Sequence, residues 1–341
     1  MLSEFSVTSL NVRPLMRIEN VTLEFAARSR KAGAVRAIDD VSLDIAPGEI
    51  IGLVGESGSG KTTLGKTLLG MYPASSGHIW YEGVDLAAAG AAALKLHRRD
   101  LQLVFQDPLS SFNPRFRIGD SIALPLRLHR ICRGKALEAE VSRLLERVGL
   151  SPDHARRFPH ELSGGQLQRV AIARVLGISP KLIVADEAVS KLDISVRAQI
   201  LNLLKTINRD INVSLVFITH DLSVARFLCN RIAVMYFGRI VELGPTESIF
   251  SDPKHPYTRR LLEARRAHPI GDVADDGAGP LLAGGSIELA GCNYRDRCPV
   301  RVSRCDVERP GLEGPSNGRR VACFNPHGDQ GTDVPVRAVV R

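Results

Sequence analysis

Apolar and polar residues alternate through MRIENVTLEFAA from Met16 and again through AIDDVSLDIAPGEIIGLVG from Ala37, a two-residue period that predicts half-buried strands with APGE as the turn between two of them. The polar insertion ARSRKAG between the two stretches predicts an exposed loop. The next stretch changes period: EIIGLVG reads as a short buried strand, while KTTLGKTLLGMY spaces its apolar residues as a helix does. SSGHIWYEGVDL returns to strand character, and LQLVFQDP predicts another strand ending at Pro108. From Asp120 to about Leu150 the leucines of ALEAEVSRLLERVGL fall at helical spacing, which predicts a helical subdomain interrupting an α/β chain. KLIVAD and SLVFITH are wholly apolar and flank the helical stretch SVRAQILNLLKTINRD, the signature of a βαβ unit in a parallel sheet. From about His268 the chain is rich in Gly, Pro and Arg with little periodicity. Such a segment predicts a distinct extension, too poor in large apolar residues to fold well without a staple.

Composition narrows the class. A chain of 341 residues, 44% hydrophobic and 24% charged, is that of a globular protein able to bury a large core. No apolar run reaches the ~18 to 20 residues that span a bilayer, and the first twenty residues lack the charged-then-apolar order of a signal peptide, so a cytosolic protein is expected. The net charge of +8 is spread along the chain rather than gathered in blocks, and is weak evidence for an anionic partner. Cys132 and Cys229 stand alone in apolar surroundings, whereas Cys292, Cys298, Cys305 and Cys323 crowd the last fifth of the chain.

The glycine-rich stretch GESGSGKTTLGKTLLG carries the clearest chemistry. Glycine lets backbone N–H groups turn toward an anion, and the helix N-terminus behind them adds partial positive charge. The spacing Gly55-x4-Gly60-Lys61-Thr62 is that of a phosphate loop, with Glu56, Ser57, Gly58, Ser59 and Thr63 completing the cradle. Lys61 would reach the outer phosphates of a nucleotide and the Thr62 hydroxyl would ligate Mg²⁺. A plain glycine-rich turn is the alternative, and the strand before and helix after weigh against it. Further on, LIVADE ends an apolar strand in two carboxylates: Asp186 suits the metal and Glu187 a general base for water. Two solvated acids would be the bland reading. Gln106 in VFQDP could touch both metal and water, and His220 in FITHD could donate to the γ-phosphate, although a lone histidine is more often structural. Ser163, Gly164, Gly165 and Gln166 precede a second strong helix, a second anion-binding N-terminus. Two phosphate sites, each half complete, imply two chains that complete each other head to tail.

In this order and spacing the motifs resemble those of the ATP-binding cassette (ABC) ATPases: Walker A, Q-loop, LSGGQ signature, Walker B, D-loop and switch histidine, over roughly residues 16 to 250. The resemblance implies an α/β P-loop NTPase fold with a RecA-like core, an antiparallel β subdomain and an inserted helical subdomain at about 107–175. It implies ATP and Mg²⁺ as ligands, with Lys61, Gln106, Asp186, Glu187 and His220 serving one nucleotide and Ser163 to Gln166 serving the partner chain's. Phe25 matches the aromatic that stacks on adenine, and is also what a core strand would carry. Two positions depart from the pattern. Ala188 replaces a proline, and Lys191 places a bulky cation in the D-loop beside Asp193, two changes that bear on turnover rate and site-to-site coupling.

VFQDPLSSFNPR, RFPHELSGGQ, HDLSVARFL and DPKHPYTRRLLEA resemble the ATPase subunits of bacterial dipeptide and oligopeptide importers, a branch that includes nickel and opine systems, and the cysteine-bearing tail resembles their C-terminal extension. On that resemblance the chain divides into a leader (1–15), the cassette (16–267) and the extension (268–341). The implied partners are a second cassette, a paralogue in a heterodimer; two membrane permeases, which would dock on the helical subdomain; and, indirectly, an extracytoplasmic solute-binding protein. The implied place is the cytoplasmic face of the inner membrane, peripherally. The spacing C-x5-C-x6-C-x17-C matches no common zinc or ferredoxin motif. Four thiols in a reducing compartment suit a metal better than disulfides, with free cysteines as the alternative. The family resemblance favours a [4Fe-4S] cluster over Zn²⁺. Rival readings are a non-transport ABC ATPase and import of a non-peptide cargo. DNA repair would need a coiled-coil insertion between Lys61 and Ser163, and ribosomal action a second cassette; no nucleic-acid partner is expected.

Overall fold

The difference between alternating and wholly apolar strands becomes a division into two sheets. The computed structural model describes residues 13–26, 34–267, 290–314 and 318–326. In chain order the elements are β1 (Met16–Phe25), β2 (Val35–Ile45), β3 (Ile50–Val54), α1 (Lys61–Leu68), β4 (Ser76–Tyr81), β5 (Val84–Asp85) and α2 (Ala91–His97). They continue with β6 (Leu101–Val104), α3 (Ile118–Leu128), α4 (Lys135–Arg147), α5 (Gly164–Leu176), β7 (Leu182–Asp186), α6 (Ile194–Ile211) and β8 (Ser214–Thr219). The last are α7 (Leu222–Leu228), β9 (Arg231–Tyr236), β10 (Arg239–Pro245), α8 (Thr246–Ser251), α9 (Pro256–Ala267), α10 (Arg304–Val307) and β11 (Arg320–Val321).

The alternating strands form an antiparallel sheet in the order β2-β1-β4-β5, wet on one face. The apolar strands form a seven-stranded sheet, β11-β10-β9-β3-β8-β7-β6, parallel from β9 to β6. Every residue of β3, β7 and β8 is buried, which is why their sequences show no alternation. Register places Val54 opposite Thr219 and Asp186 opposite Ile218, so the carboxyl ends of β3, β8 and β7 finish side by side. The phosphate loop, the two acids and His220 therefore meet at one sheet edge, where open α/β sheets bind ligands. Helix α1 lies close over that sheet because of Gly65. A Cβ there would come 2.7 Å from Ile218 Cδ1 and 2.9 Å from Val184 Cγ1.

Two sequence expectations change in detail. The helical stretch from Asp120 to Leu150 is two helices, α3 and α4, with Gly134 at a positive φ of 56° just before α4. Ile118, Ile122 and Leu126 of α3 and Leu137, Val141, Leu144 and Leu145 of α4 share one core with α5. Strand β6 stops at Val104 rather than Pro108, because the Asp107 carboxylate accepts the Leu109 N–H at 3.1 Å and turns the chain into a short 3-10 helix after Pro108. The ARSRKAG loop and residues 1–12 of the leader lie outside the described residues, and Leu15 is already buried.

The extension docks on the core by charge and by strand addition as much as by apolar contact. Strand β11 pairs with β10 at the edge of the main sheet. Arg309 reaches Asp39, a carboxylate 2% exposed on β2 that also meets Arg36 at 2.9 Å. Arg319 reaches Glu242, fully buried on β10, at 3.0 Å, and Glu242 further accepts the N–H groups of Lys254 and His255, both at 2.9 Å. Each buried acid is thus paired and hydrogen-bonded, as burial of charge requires. Arginine–carboxylate pairs and a borrowed sheet edge, neither of them expected from the sequence, thus hold the segment to the core.

Candidate nucleotide site

The loop from Gly55 to Gly60 closes around the Lys61 ammonium. Nζ donates to the carbonyls of Gly55 (2.8 Å) and Glu56 (2.7 Å) and to Ser59 Oγ (3.1 Å). Burial pulls this lysine down to about 8, against the opposing pull of Glu187, Asp186 and Glu56. Gly60 caps α1 at a φ of +100°, and a Cβ there would sit 2.5 Å from the Ala37 carbonyl. With no side chain capping it, the N-terminus of α1 keeps its N–H groups for a ligand. Ser57 and Gly58 stand exposed at the mouth, Ser59 is buried, and Thr62 and Thr63 are half-buried on the first turn.

The Thr62 hydroxyl donates to Asp186 Oδ1 at 2.8 Å, which brings a hydroxyl and a carboxylate from two distant segments to one point. Burial raises the Asp186 carboxyl above its ordinary range. A hydroxyl and a carboxylate facing one cleft beside a phosphate loop are hard oxygen donors that fit Mg²⁺, whose chemistry when bound is to neutralise phosphate charge.

Glu187 is the centre of the second cluster. Gln106 Nε2 donates to Oε2 at 2.7 Å, and His220 Nδ1 lies 3.2 Å from Oε1. The histidine holds this carboxyl below its usual range, and the carboxylate raises the histidine in turn. Glu187 sits at a φ of +45°, a strained conformation for a side-chain-bearing residue, held by its N–H to the Ile218 carbonyl (3.0 Å) and by Ser190 Oγ on its own carbonyl (3.0 Å). The three residues named from sequence are one cluster able to hold and deprotonate a water.

The signature residues are elsewhere. Ser163 caps α5: its hydroxyl accepts the Gln166 N–H at 3.3 Å and Gln166 Oε1 accepts the Ser163 N–H at 3.0 Å, a reciprocal capping box. Gly165 is required for packing, since a Cβ would meet Val196 Cγ1 at 2.3 Å. Among the described residues no hydrogen bond joins 163–166 to the phosphate loop. Asp193 caps α6 through its carbonyl and is exposed beside Lys191 and Ile194, while Ala188 is buried in the core. Phe25, 39% exposed at the end of β1, meets Tyr72 edge-on at 5.4 Å.

The four tail cysteines gather in one module. Cys292 N–H donates to the Cys305 carbonyl at 2.7 Å, and each of Cys292, Cys298 and Cys323 is raised first by burial and also by the neighbouring cysteines, Cys323 to about 11. All are free thiols. Among the described residues no three Cys, His, Asp or Glu side chains are grouped closely enough to hold a metal. The thiols are neighbours but, as placed, not a ligand set, so the cluster expectation is not met by this arrangement. Tyr257 was not anticipated as part of the site, yet its hydroxyl accepts the Glu56 N–H at 3.0 Å.

Comparison with known proteins decides the family. The ABC transporter family matches residues 38–190, and the family described as "Oligopeptide/dipeptide transporter, C-terminal region" matches residues 241–305. Residues 38–190 belong to the ABC transporter ATPases. It is 49% identical over 261 residues to the glutathione import ATP-binding protein GsiA of Escherichia coli (strain K12), covering 75% of this chain and 42% of that protein. It is 47% identical over 258 residues to the protein of the same name from Pectobacterium atrosepticum, covering 74% and 41%. The chain thus spans about two fifths of the length of the curated relatives it matches. Among solved structures, a dimeric post-hydrolysis state of the ATP-binding cassette MJ0796 bound to ADP and Pi aligns with a TM-score of 0.62 and 29% identity over 68% of this chain and 98% of that one. CbiO1 from Clostridium perfringens, at 23% identity and a TM-score of 0.62 over 74% and 94%, shares the fold. The cassette fold expected from sequence is the fold observed. Among the described residues no helix is long and apolar enough to cross a membrane.

Proposed function

We propose that this ABC ATPase binds and hydrolyses ATP to power an importer of peptides or related small solutes, glutathione-like tripeptides included. The observation that carries the reading is the convergence of Lys61, the Thr62–Asp186 pair and the Gln106–Glu187–His220 cluster at one sheet edge, in a chain whose C-terminal region matches that of oligopeptide and dipeptide transporters. In this reading Gly55 to Thr63 cradle the phosphates and Phe25 stacks on the base. Thr62, Gln106 and Asp186 hold Mg²⁺. Glu187 takes the proton of the attacking water, Gln106 orients that water, and His220 donates to the γ-phosphate.

The signature at Ser163 to Gln166 and Asp193 of the D-loop serve the nucleotide of a second cassette, a paralogue, so that two nucleotides lie between two chains. Support comes from the separation of the signature from the phosphate loop and from the dimeric form of the cassette MJ0796. Two membrane permeases carry the pathway, fed by an extracytoplasmic binding protein, with this chain peripheral on the cytoplasmic face. The domain division at 16–267 and 268–341 belongs to the same reading. For the cysteine module the proposal is a [4Fe-4S] cluster, with Zn²⁺ as the other outcome; it rests on the resemblance of the tail and on four neighbouring cysteines whose thiols would have to draw together around the metal. Elemental analysis of anaerobically purified protein tests it: iron with sulfide supports the cluster, zinc supports only the ligand set, and neither metal removes both.

Uptake of a labelled panel of di-, tri- and oligopeptides, nickel and an opine by cells lacking this chain tests the cargo. Loss of peptide uptake, restored by the wild-type chain and not by Glu187→Gln, is the expected result. Loss confined to nickel or the opine would transfer the function to that cargo, and unchanged uptake of all would remove the importer reading.

A further inference from the structure

The peptide unit between Gly55 and Glu56 is held at both ends. Its carbonyl, that of Gly55, accepts from Lys61 Nζ at 2.8 Å; its N–H, that of Glu56, donates to the Tyr257 hydroxyl at 3.0 Å. Tyr257 comes from the start of α9, 201 residues further along the chain, and is 1% exposed. Nothing about its ring is loose. The Tyr257 N–H donates to His255 Nδ1 at 3.1 Å, and the His255 N–H is held by Glu242. The ring packs on Tyr236 at 4.5 Å and on Tyr294 at 5.6 Å, and Tyr294 in turn meets Tyr236 edge-on at 5.3 Å. Tyr294 lies between Cys292 and Cys298, so a cluster of three mutually contacting tyrosines links the cysteine module to the phosphate loop.

We propose that Tyr257 is a positioning residue for ATP: its hydroxyl fixes the Gly55–Glu56 peptide, that peptide holds the Lys61 ammonium where the outer phosphates will lie, and Tyr294 makes the cysteine module the support beneath. The physical reason is preorganisation. A glycine at residue 55, with φ at +153°, leaves the peptide free to rotate once its N–H loses a partner, and rotation turns away a carbonyl that holds the lysine. Hydrolysis itself uses the separate Glu187 cluster, so the effect falls on binding. The inference rests on ATP binding at the phosphate loop and not on any cargo.

The test is ATP–Mg²⁺ titration and steady-state hydrolysis by the full chain, wild type beside Tyr257→Phe and Tyr294→Leu. Tyr257→Phe keeps the ring and removes one hydrogen bond, so ATP affinity should fall about fivefold to tenfold. KM for ATP should rise by the same factor with kcat within about twofold, the split expected when ground-state binding alone is lost. Tyr294→Leu leaves the hydroxyl in place and should weaken ATP by only about twofold to fourfold, in the same KM-only pattern. Unchanged affinity in Tyr257→Phe, or a fall in kcat with KM unchanged, would overturn the proposal; unchanged affinity in Tyr294→Leu would overturn the part played by the tail. A wild-type chain that fails to bind ATP would sink the nucleotide reading beneath it, and this inference with it.

Discussion

Two glycine-rich helix N-termini, before α1 and before α5, have similar sequences and opposite states. The first is open: Gly60 brings no side chain to cap it, a buried lysine and a threonine–aspartate pair stand around it, and the loop is anchored from α9. The second is closed on itself by the Ser163–Gln166 capping box and has no cation or acid of the first cluster bonded to it. Both ends carry the same dipole. In the reading proposed above, what separates a complete phosphate site from half of one is the company the helix end keeps, and of these two ends α1 is the one that finds that company among the described residues.

The comparison is broken most severely at Glu187. Glu187→Gln should retain ATP binding, because Lys61, Thr62 and Asp186 are untouched, while turnover falls at least about 100-fold for loss of a general base. Near-normal phosphate release by that variant would remove Glu187 from the role. A smaller effect sharpens the cationic half of the first site. With Lys61 brought down to about 8 by burial, its proton is lost above that pH and must be regained to meet phosphate. ATP affinity should therefore weaken about tenfold between roughly pH 7 and 9, measured by titration at each pH, and Lys61→Gln should flatten the profile.

The His220–Glu187 pair gives a lesser effect. His220 is raised by its partner, so its share of folded-state stability is complete below the ordinary histidine value of about 6.5 and is lost as pH rises through the higher folded value. Glu187 is depressed, so its share is present above its ordinary range and lost as pH falls through the lower folded value. Half the histidine side chain is in water, which limits the pair to under about 1 kcal/mol. Thermal denaturation should show wild type exceeding His220→Gln near pH 6 and the gap closing by about pH 9; a gap that widens would contradict the assignment.

The sheet and the first site were legible because their signals are local. Five apolar residues ending in Asp186 announce a buried parallel strand, and Gly55 to Thr62 announce a phosphate loop, whatever the rest of the chain does. The hairpin of β9 and β10 went unread, as did the Tyr257 anchor. Pairing of Tyr257 with Glu56 joins segments far apart in sequence, and a buried tyrosine after a His-Pro turn looks like ordinary core. The docking of the tail went unread for a related reason: nothing local to Arg309 and Arg319, in a Gly- and Pro-rich stretch, points to a partner, and only the buried carboxylates of Asp39 and Glu242 reveal them as anchors. The end of β6 moved because a side chain, Asp107, competes for the backbone there.

The most direct measurement is the smallest expected change. Equilibrium titration of ATP against the full chain carrying Ser163→Arg places a bulky cation at the closed helix end while leaving the open one alone. If the signature serves a partner's nucleotide, the dissociation constant for this chain's own ATP should stay within about twofold of wild type, a shift under about 0.4 kcal/mol, even though hydrolysis in the assembled pair is lost. Loss of ATP binding by the isolated Ser163→Arg chain would show that the two helix ends form one site in cis, and would contradict the account.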